Sequence, residues 1–369
     1  MATITLFTAS RALQGPEVRS KLTHEFADLY DDLDRGFRPI NFLAPWLPLP
    51  QNRRRDRAHA KMVGVYMDII SRRRSQLNRF VGHGEGEMEG MVGRGMEGEG
   101  EEDMIDNLMS CVYKSGERIP DHEIACLMIT LLMAGQHSSS SSSSWIIFRL
   151  ASRPDIQEEL LAELNAAGIQ STSTADREAG GKGRGVRYQD LENLTLLSGV
   201  VKETLRLHSS IHSVMRKVKN EMPIPGTQFV VTTDKVLVAS PIVTHWSPEY
   251  FADPEVWDPH RWDALSSDGR GVGNAKEGKE EGDLVDYGYG VMSKGTKSPY
   301  LPFGAGRHRC IGERFAEVNL MTVVATLVRE FRWSLVDGKG EGEGSVPETD
   351  YSSMFSRPMP GSRIRWERR

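Results

Sequence analysis

Hydrophobic positions along this chain recur mostly every three or four residues, the spacing that collects apolar side chains on one face of a helix. The pattern predicts a mainly α protein with a small β region. Helices are predicted over residues 17–34, 53–80, 103–114, 121–150, 154–166, 188–208 and 313–330.

Two short runs rich in β-branched residues interrupt the helical pattern. Phe229–Val231 and Lys235–Ala239 are joined by a short polar turn, which predicts a small hairpin. In the segment HWSPEYFADPEVWDPHRW, residues 245–262, prolines recur too often for a regular helix. This segment, called the meander below, is predicted to be ordered and irregular.

Four stretches depart from the general composition because they are rich in Gly with Glu, Lys or Ser, and they are predicted to be solvated surface insertions. They lie at about 82–103, 174–185, 266–282 and 338–344. The first contains Gly93, Gly95 and Gly98 in GxGxxG spacing. No predicted strand precedes it and no predicted helix follows it, so the pattern does not indicate a dinucleotide site.

Composition excludes several classes of function. With 369 residues, 38% of them hydrophobic, the chain can bury a large core. Its net charge of −5 and its mixed charges argue against a nucleic-acid partner. Three cysteines at irregular spacing fit neither a disulfide framework nor a zinc site, which favours a reducing compartment or the cytosolic face of a membrane. The longest apolar run, residues 124–134, is shorter than the roughly 20 residues that span a bilayer.

Cys310 lies after a glycine-rich loop and directly before a predicted helix, in PYLPFGAGRHRCIGERFAEVNL. Backbone N–H groups and the helix dipole stabilise a thiolate there, and glycines allow a flat ligand to approach the chain closely. The pattern F-x-x-G-x-[RH]-x-C-x-G resembles the haem-binding signature of the cytochromes P-450. Its fixed positions and the adjoining glycine are Phe303, Gly304, Gly306, His308, Cys310 and Gly312.

Further features follow the same family in order. Glu203 and Arg206, in KETLRLH, lie three apart on one helical face and resemble the family's ExxR pair. By the same resemblance, Arg261 completes a structural triad that holds the meander beneath the haem. Taken without the resemblance, the pair is also consistent with a surface ion pair.

Helix 121–150 contains MAGQHSSS, which resembles the family's oxygen-activating helix. The resemblance implies that Ala134 and Gly135 leave a groove over the iron and that His137 and Ser138 pass protons to bound dioxygen. A histidine after Gln136 is typical of sterol 14α-demethylases. Seven consecutive serines, Ser138 to Ser144, disfavour a helix interior because their hydroxyls compete for backbone hydrogen bonds.

Nearly end to end, the chain resembles fungal sterol 14α-demethylases, including LDRGFRPINFLAPWLPLP, IHSVMRKV and the C-terminal SSMFSRPMPGSRIRWERR. The resemblance implies that Arg216 and His308 bind the haem propionates. It also implies that the substrate entrance and sterol cavity are formed by Phe37, Pro39, Phe42, Ile211, Ser213, Val214 and Met354.

The expected protein is a single P-450 catalytic domain, residues 1–369, that lacks its N-terminal part. The implied cofactor is haem b with Cys310 as axial iron ligand, and thiolate donation favours O–O cleavage. The implied reaction is three successive oxidations of the 14α-methyl group of a sterol, using dioxygen and electrons from NADPH–cytochrome P-450 reductase. The implied location is the cytosolic face of the endoplasmic reticulum membrane.

Other interpretations stay open at this point. The chain could be a P-450 for another hydrophobic substrate, or a truncated fragment without activity. His208 and His212, four apart, could bind a metal, but a third ligand is missing nearby and a hydrogen-bonding role for His212 is favoured. Helix 53–80 could lie on a membrane, but Met62, Val63, Tyr66, Ile69 and Ile70 form an ordinary buried stripe.

Overall fold

The structure is a computed structural model. It describes residues 1–21, 28–30, 32–33, 36, 40–41, 44, 46–81, 103–170, 184–265, 298–336, 344–351 and 355–369. It divides into two compact units, Met1–Ser140 and Ser141–Arg369. Among the described residues, no helix combines the length and apolar character needed to cross a bilayer.

The first unit is mainly helical in its described part. Its helices are α1 (Ala2–Lys21), α2 (Pro50–Val81), α3 (Met104–Ser110) and the first part of α4 (Asp121–Ala151). α1 is kinked at Gly15. Tyr66 in α2 donates to Gln14 Oε1 at 2.6 Å, and Gln14 donates to the carbonyl of Met128 in α4 at 2.8 Å. These bonds join three helices through polar groups that are fully buried.

The second unit contains the end of α4 and four further helices, α5 (Pro154–Ala166), α6 (Thr195–Leu207), α7 (Pro241–His245) and α8 (Glu313–Glu330). Short 3-10 helices lie at Tyr188–Asn193, Pro259–Leu265 and Gly306–His308. The described strands are β1 (Val214–Lys217), β2 (Met222–Pro223), β3 (Val230–Val231), β4 (Val236–Ala239), β5 (Phe331–Leu335), β6 (Thr349–Asp350), β7 (Arg357–Pro358) and β8 (Ile364–Arg368). They form antiparallel pairs in the order β1–β4, β2–β3, β5–β8 and β6–β7.

The predicted α2 stripe is confirmed: Met62, Tyr66, Ile69 and Ile70 are fully buried, and Val63 is half-buried. The helix predicted over 17–34 starts close to a helical segment of the structure, because α1 is divided by the kink at Gly15 and its second part follows from Pro16. The first part of α1, from Ala2 to the kink, was not predicted. The helix predicted over 103–114 is shorter, because α3 ends at Ser110. The predicted helix 188–208 is a 3-10 helix and α6, separated at Leu194.

The predicted hairpin between Phe229–Val231 and Lys235–Ala239 was wrong in its pairing. β3 pairs with β2 through a turn at Pro225 and Gly226, and β4 pairs with β1. Gly226 has a φ of 74°, which a Pro-Gly turn provides readily. Of the four predicted insertions, only residues 103, 184–185 and 344 lie inside the described part, and the GxGxxG glycines lie outside it.

α6 packs against the 3-10 helix Pro259–Leu265 at a glycine. A Cβ added to Gly199 would lie 2.6 Å from the carbonyl oxygen of Pro259, so a side chain would collide with backbone. Gly199→Ala is therefore expected to lower the free energy of unfolding by about 1–3 kcal/mol in a urea titration.

Gly64, in the middle of α2, is the matched control because no atom lies within 4 Å of a Cβ placed there. Gly64→Ala is expected to raise the free energy of unfolding by up to about 1 kcal/mol, since alanine is the better helix former. Equal effects of the two substitutions would contradict the close approach at Gly199.

Candidate active site

The cysteine loop, residues 301–312, connects the buried Tyr300 to α8. The Cys310 N–H donates to the Phe303 carbonyl at 2.9 Å, which closes the loop on itself. Gly304 and Gly306 have φ values of 70° and 65°, a region that residues with a side chain rarely adopt. These two glycines thus set the path of the chain toward the cysteine.

Cys310 is exposed, as is His308 two residues earlier. The neighbouring Ile311 side chain is 98% exposed. Arg309 pairs with Glu313 in the first turn of α8, with Nε 2.6 Å from Oε2. The loop therefore presents a thiol and an apolar side chain together, while its arginine is held by the helix.

Glu203, Arg206 and Arg261 come together in the structure. Arg206 makes a bidentate pair with Glu203 at 2.8 and 2.9 Å, and both side chains are fully buried. Arg261 Nε lies 3.3 Å from Glu203 Oε1. Trp262 Nε1 donates to Glu203 Oε2 at 3.0 Å. The carboxylate is thus surrounded by donors, which is the arrangement that a buried charge requires.

The two arginines also hold the meander. Arg206 Nη1 donates to the carbonyls of His245 and Pro254, each at 2.7 Å. Arg261 donates to the carbonyls of Ala252 and Asp253 at 2.5 and 3.3 Å. The meander has no regular secondary structure in which these carbonyls could accept backbone hydrogen bonds. The two guanidinium groups supply the hydrogen-bond donors that a helix or sheet would otherwise provide.

Tyr300, directly before the cysteine loop, packs against the meander and is hydrogen-bonded to α6. Its ring packs with Phe251 and Trp262, and its hydroxyl donates to the carbonyl of Lys202 in α6 at 3.1 Å. A small pocket behind the loop is lined by Lys202, Tyr300, Phe303, Arg309, Glu313 and Glu317. Burial lowers the pKa of Lys202 to about 8 and raises the pKa of Glu317, so neither charge is fully solvated.

Most of the predicted cavity residues in the second unit lie around β1. Arg216 is exposed and its guanidinium donates to the Met215 carbonyl at 2.9 Å. Ile211 is 44% exposed and Val214 is half-buried. The Ser213 hydroxyl lies 2.9 Å from His212 Nδ1 and 3.2 Å from the Ser240 hydroxyl.

Four predicted residues belong to the first unit, on α4. Ala134 is exposed, and Gly135, His137 and Ser138 are half-buried. The Ser138 hydroxyl donates to the Ala134 carbonyl at 2.9 Å. The ring of His137 lies 5.4 Å from that of Tyr30, whose hydroxyl donates to Gln136 Oε1 at 2.8 Å. Phe37, Pro39, Phe42 and Met354 lie outside the described residues.

His208 and His212 do not share a helical face, because α6 ends at Leu207. His208 is buried, stacks on Trp145 at 3.7 Å and accepts a hydrogen bond from Arg149 at 3.0 Å. Burial lowers the pKa of His208 well below its usual value. Within the described part of the chain, no three or more His, Cys, Asp or Glu side chains are grouped so that they could hold a metal ion together.

The sequence analysis did not predict several residues that hydrogen-bond distant segments of the second unit to one another. Ser356 donates from its N–H to the Ser210 carbonyl at 3.0 Å and accepts from the Ser141 hydroxyl. Trp257 donates to Thr204 Oγ1 at 3.0 Å. Trp257 lies in the aromatic-rich meander, which was a usable signal, whereas a single serine in the C-terminal segment offers none.

A chain of this architecture, with a cysteine on a glycine loop beside a buried Glu–Arg–Arg network, matches a known family. Residues 1–359 match the family described as Cytochrome P450. A sterol 14-alpha demethylase of Gibberella zeae is 57% identical over the whole chain, and one of Aspergillus flavus is 54% identical. An eburicol 14-alpha-demethylase of Penicillium italicum is 51% identical.

This chain spans about 65% of the length of these first relatives. Among solved structures, a retinoic acid-bound cyanobacterial CYP120A1 aligns with a TM-score of 0.69 at 19% identity. The alignment covers 100% of this chain and 68% of that one, and it supports the fold alone. The chain belongs to the cytochrome P450 family. The predicted P-450 fold and resemblance to fungal sterol 14α-demethylases are confirmed.

Proposed function

We propose that this chain binds haem b through the thiolate of Cys310 and removes the 14α-methyl group of a sterol by three successive oxidations, releasing formate. The observation that carries the proposal is the exposed Cys310 thiol on a glycine loop that is tied to α6 and the meander. The similarity to sterol demethylases over the whole chain supports the substrate class.

The residues present fit a haem. A planar apolar ligand with one metal and two carboxylates needs a soft ligand, apolar cover and cationic or hydrogen-bonding groups. Cys310 offers the thiolate and the exposed Ile311 offers apolar surface. Arg216 and His308, both exposed, are proposed to bind the propionates. When bound, the haem supplies the oxygen-activating chemistry.

The chain's own residues orient the ligand and handle protons in this proposal. Phe303, the signature glycines Gly306 and Gly312, and the adjoining Gly304 shape the cysteine loop. Ile211, Ser213 and Val214, with Ala134, Phe37, Phe42 and Met354, are proposed to contact the sterol. His137 and Ser138 are proposed to deliver protons, with the Ser138 hydroxyl as the donor atom.

The partners follow from the reaction. The proposed substrates are a sterol of the lanosterol or eburicol kind and dioxygen, and the proposed electron donor is NADPH–cytochrome P-450 reductase. We further propose that the protein lies at the cytosolic face of the endoplasmic reticulum membrane, as the resemblance to fungal sterol 14α-demethylases implies.

The haem ligand is tested by the absorption band of the dithionite-reduced, carbon-monoxide-treated chain. The wild type is expected to show the thiolate–haem band and Cys310→Ser to lose it, because serine supplies no thiolate. Cys111→Ser is the matched control, since Cys111 is also an exposed free cysteine, and it is expected to keep the band. A wild type without the band overturns the proposed function, and a Cys310→Ser variant with the band overturns the ligand.

The substrate class is tested on the haem-loaded chain by optical titration and turnover. Lanosterol and eburicol are expected to shift the haem spectrum and, with reductase and NADPH, to yield formate. A shift with a fatty acid and none with either sterol would indicate a P-450 for another hydrophobic substrate. Binding without formate release would indicate a fragment that lacks activity.

A further inference from the structure

His245, the last residue of α7 and the first of the meander, is fully buried between α6 and the cysteine loop. Its Nε2 accepts a hydrogen bond from the Leu301 N–H at 2.9 Å. Its Nδ1 lies 3.0 Å from the Arg206 carbonyl oxygen and 3.3 Å from the Ser209 hydroxyl. Both ring nitrogens are therefore engaged, one by the loop and one by the C-terminal part of α6.

These partners determine the tautomer of the ring. A backbone N–H only donates, so Nε2 carries no proton, and a backbone carbonyl only accepts, so Nδ1 carries one. The imidazole is thus neutral with its proton on Nδ1. Burial, with the nearby Arg206 guanidinium, supports the neutral form by lowering the pKa of His245 to about 4.

The contact with Leu301 continues directly to the cysteine. The Leu301 carbonyl accepts the Gly304 N–H at 3.1 Å, and the Phe303 carbonyl accepts the Cys310 N–H at 2.9 Å. At the other side, Arg206 Nη1 donates to the His245 carbonyl at 2.7 Å. α6 therefore holds both the backbone and the ring of His245, and the ring holds the first residue of the cysteine loop.

We propose that His245 is a positioning residue that fixes the start of the cysteine loop to α6 and thereby sets the position of Cys310. The significance of that position rests on the proposed function, but the contact itself does not require a bound haem. Tyr300 is a second anchor at the same place, since its ring lies 5.5 Å from that of His245 and its hydroxyl reaches the Lys202 carbonyl.

The tautomer is tested first in the unmodified chain. The ¹⁵N chemical shifts of the His245 ring, assigned by comparison with His245→Gln, are expected to show a protonated Nδ1 and an unprotonated Nε2 at neutral pH. A protonated Nε2 would rule out acceptance of the Leu301 N–H and overturn the proposal.

The positioning role is tested by two variants of similar size in the haem-free 369-residue chain. His245→Leu removes both hydrogen bonds, whereas His245→Gln retains an acceptor near the place of Nε2. Leu301 N–H exchange with solvent is expected to rise about tenfold or more in His245→Leu and by less in His245→Gln, as leaving a buried donor unpaired predicts. Buried α8 amides such as Val324 serve as the reference for global opening.

The rate at which Cys310 is alkylated is a second measurement on the same samples. This rate relative to that of exposed Cys111 is expected to change in His245→Leu and to return toward the wild-type ratio in His245→Gln. Unchanged Leu301 exchange and an unchanged ratio in His245→Leu would overturn the positioning role while leaving the carbon monoxide band of the wild type in place. Loss of that band in the wild type, with the exchange result as expected, would instead overturn the proposed function alone.

Discussion

Arg206→Leu is expected to lower the free energy of unfolding by about 3–5 kcal/mol, the range for breaking a buried ion pair from one side. The substitution leaves the Glu203 carboxylate, which is fully buried, without its bidentate partner. It also leaves the carbonyls of His245 and Pro254 without the guanidinium donor that each has at 2.7 Å. Urea unfolding followed by circular dichroism measures the loss.

Arg153→Leu is the control for this prediction. Arg153 pairs with Asp155 at 2.6 Å, but both side chains are exposed, and such pairs contribute about 0–1 kcal/mol. The double variant Glu203→Leu/Arg206→Leu is expected to recover part of the loss, because no buried carboxylate then lacks its bidentate partner. If Arg206→Leu and Arg153→Leu were equally stable, the triad would contribute little to the fold.

The turn before Cys310 and the helix after it could be predicted from the sequence, because the residues that form them are close together in the chain. Gly304 and Gly306 adopt positive φ values within a few residues of Cys310, and the loop is closed by a hydrogen bond from Cys310 to Phe303. The contact between Glu203 and Arg206 is also local, since the two residues are three apart on α6. Short-range chemistry of this kind can be read from spacing alone.

The serine run shows why other features could not be predicted from local preference. Serine disfavours helix interiors, yet α4 continues through Ser138–Ser144. Buried serines of the run bond to distant parts of the chain: the Ser141 hydroxyl reaches the Ser356 carbonyl, and the Ser142 hydroxyl lies 3.1 Å from that of Ser210. These partners are 215 and 68 residues away, beyond the reach of any local pattern.

The same limit applies to the strands and to His245. The β2–β3 hairpin lies between β1 and β4 in the sequence. β1 can therefore pair with β4 only when the turn between β2 and β3 has formed. His245 is one of several polar residues in the meander, and no local pattern distinguishes it from the others. Its contacts with Leu301 and with Arg206 appear only when the meander is folded, because they bridge 56 and 39 residues.

Acidification from pH 6.5 to pH 4 is expected to cost the wild type about 3 kcal/mol of unfolding free energy through His245 alone, because the pKa of His245 is lowered from 6.5 to about 4 by burial. In this interval the unfolded chain binds a proton that the native ring does not. The contribution of the neutral His245 ring to the free energy of unfolding is complete above pH 6.5. It falls as the pH drops and changes no further below about pH 4. The Arg206 guanidinium acts in the same direction, and the Tyr300 ring and Ser209 hydroxyl that also face the imidazole are uncharged in this range.

Other buried groups titrate as well, so the measurement is a difference between two proteins. The pKa of His208 is also lowered, which adds to acid sensitivity, whereas the pKa values of Glu163 and Glu317 are raised by burial and act in the opposite sense. His245→Gln removes one titrating ring and leaves these groups in place. Urea unfolding at half-unit pH steps is therefore expected to give a steeper loss for the wild type than for His245→Gln, with the gap between the two curves changing by about 3 kcal/mol across the interval. Parallel curves would mean that the native ring takes up a proton near its ordinary pKa, which the hydrogen bond from the Leu301 N–H to Nε2 does not permit.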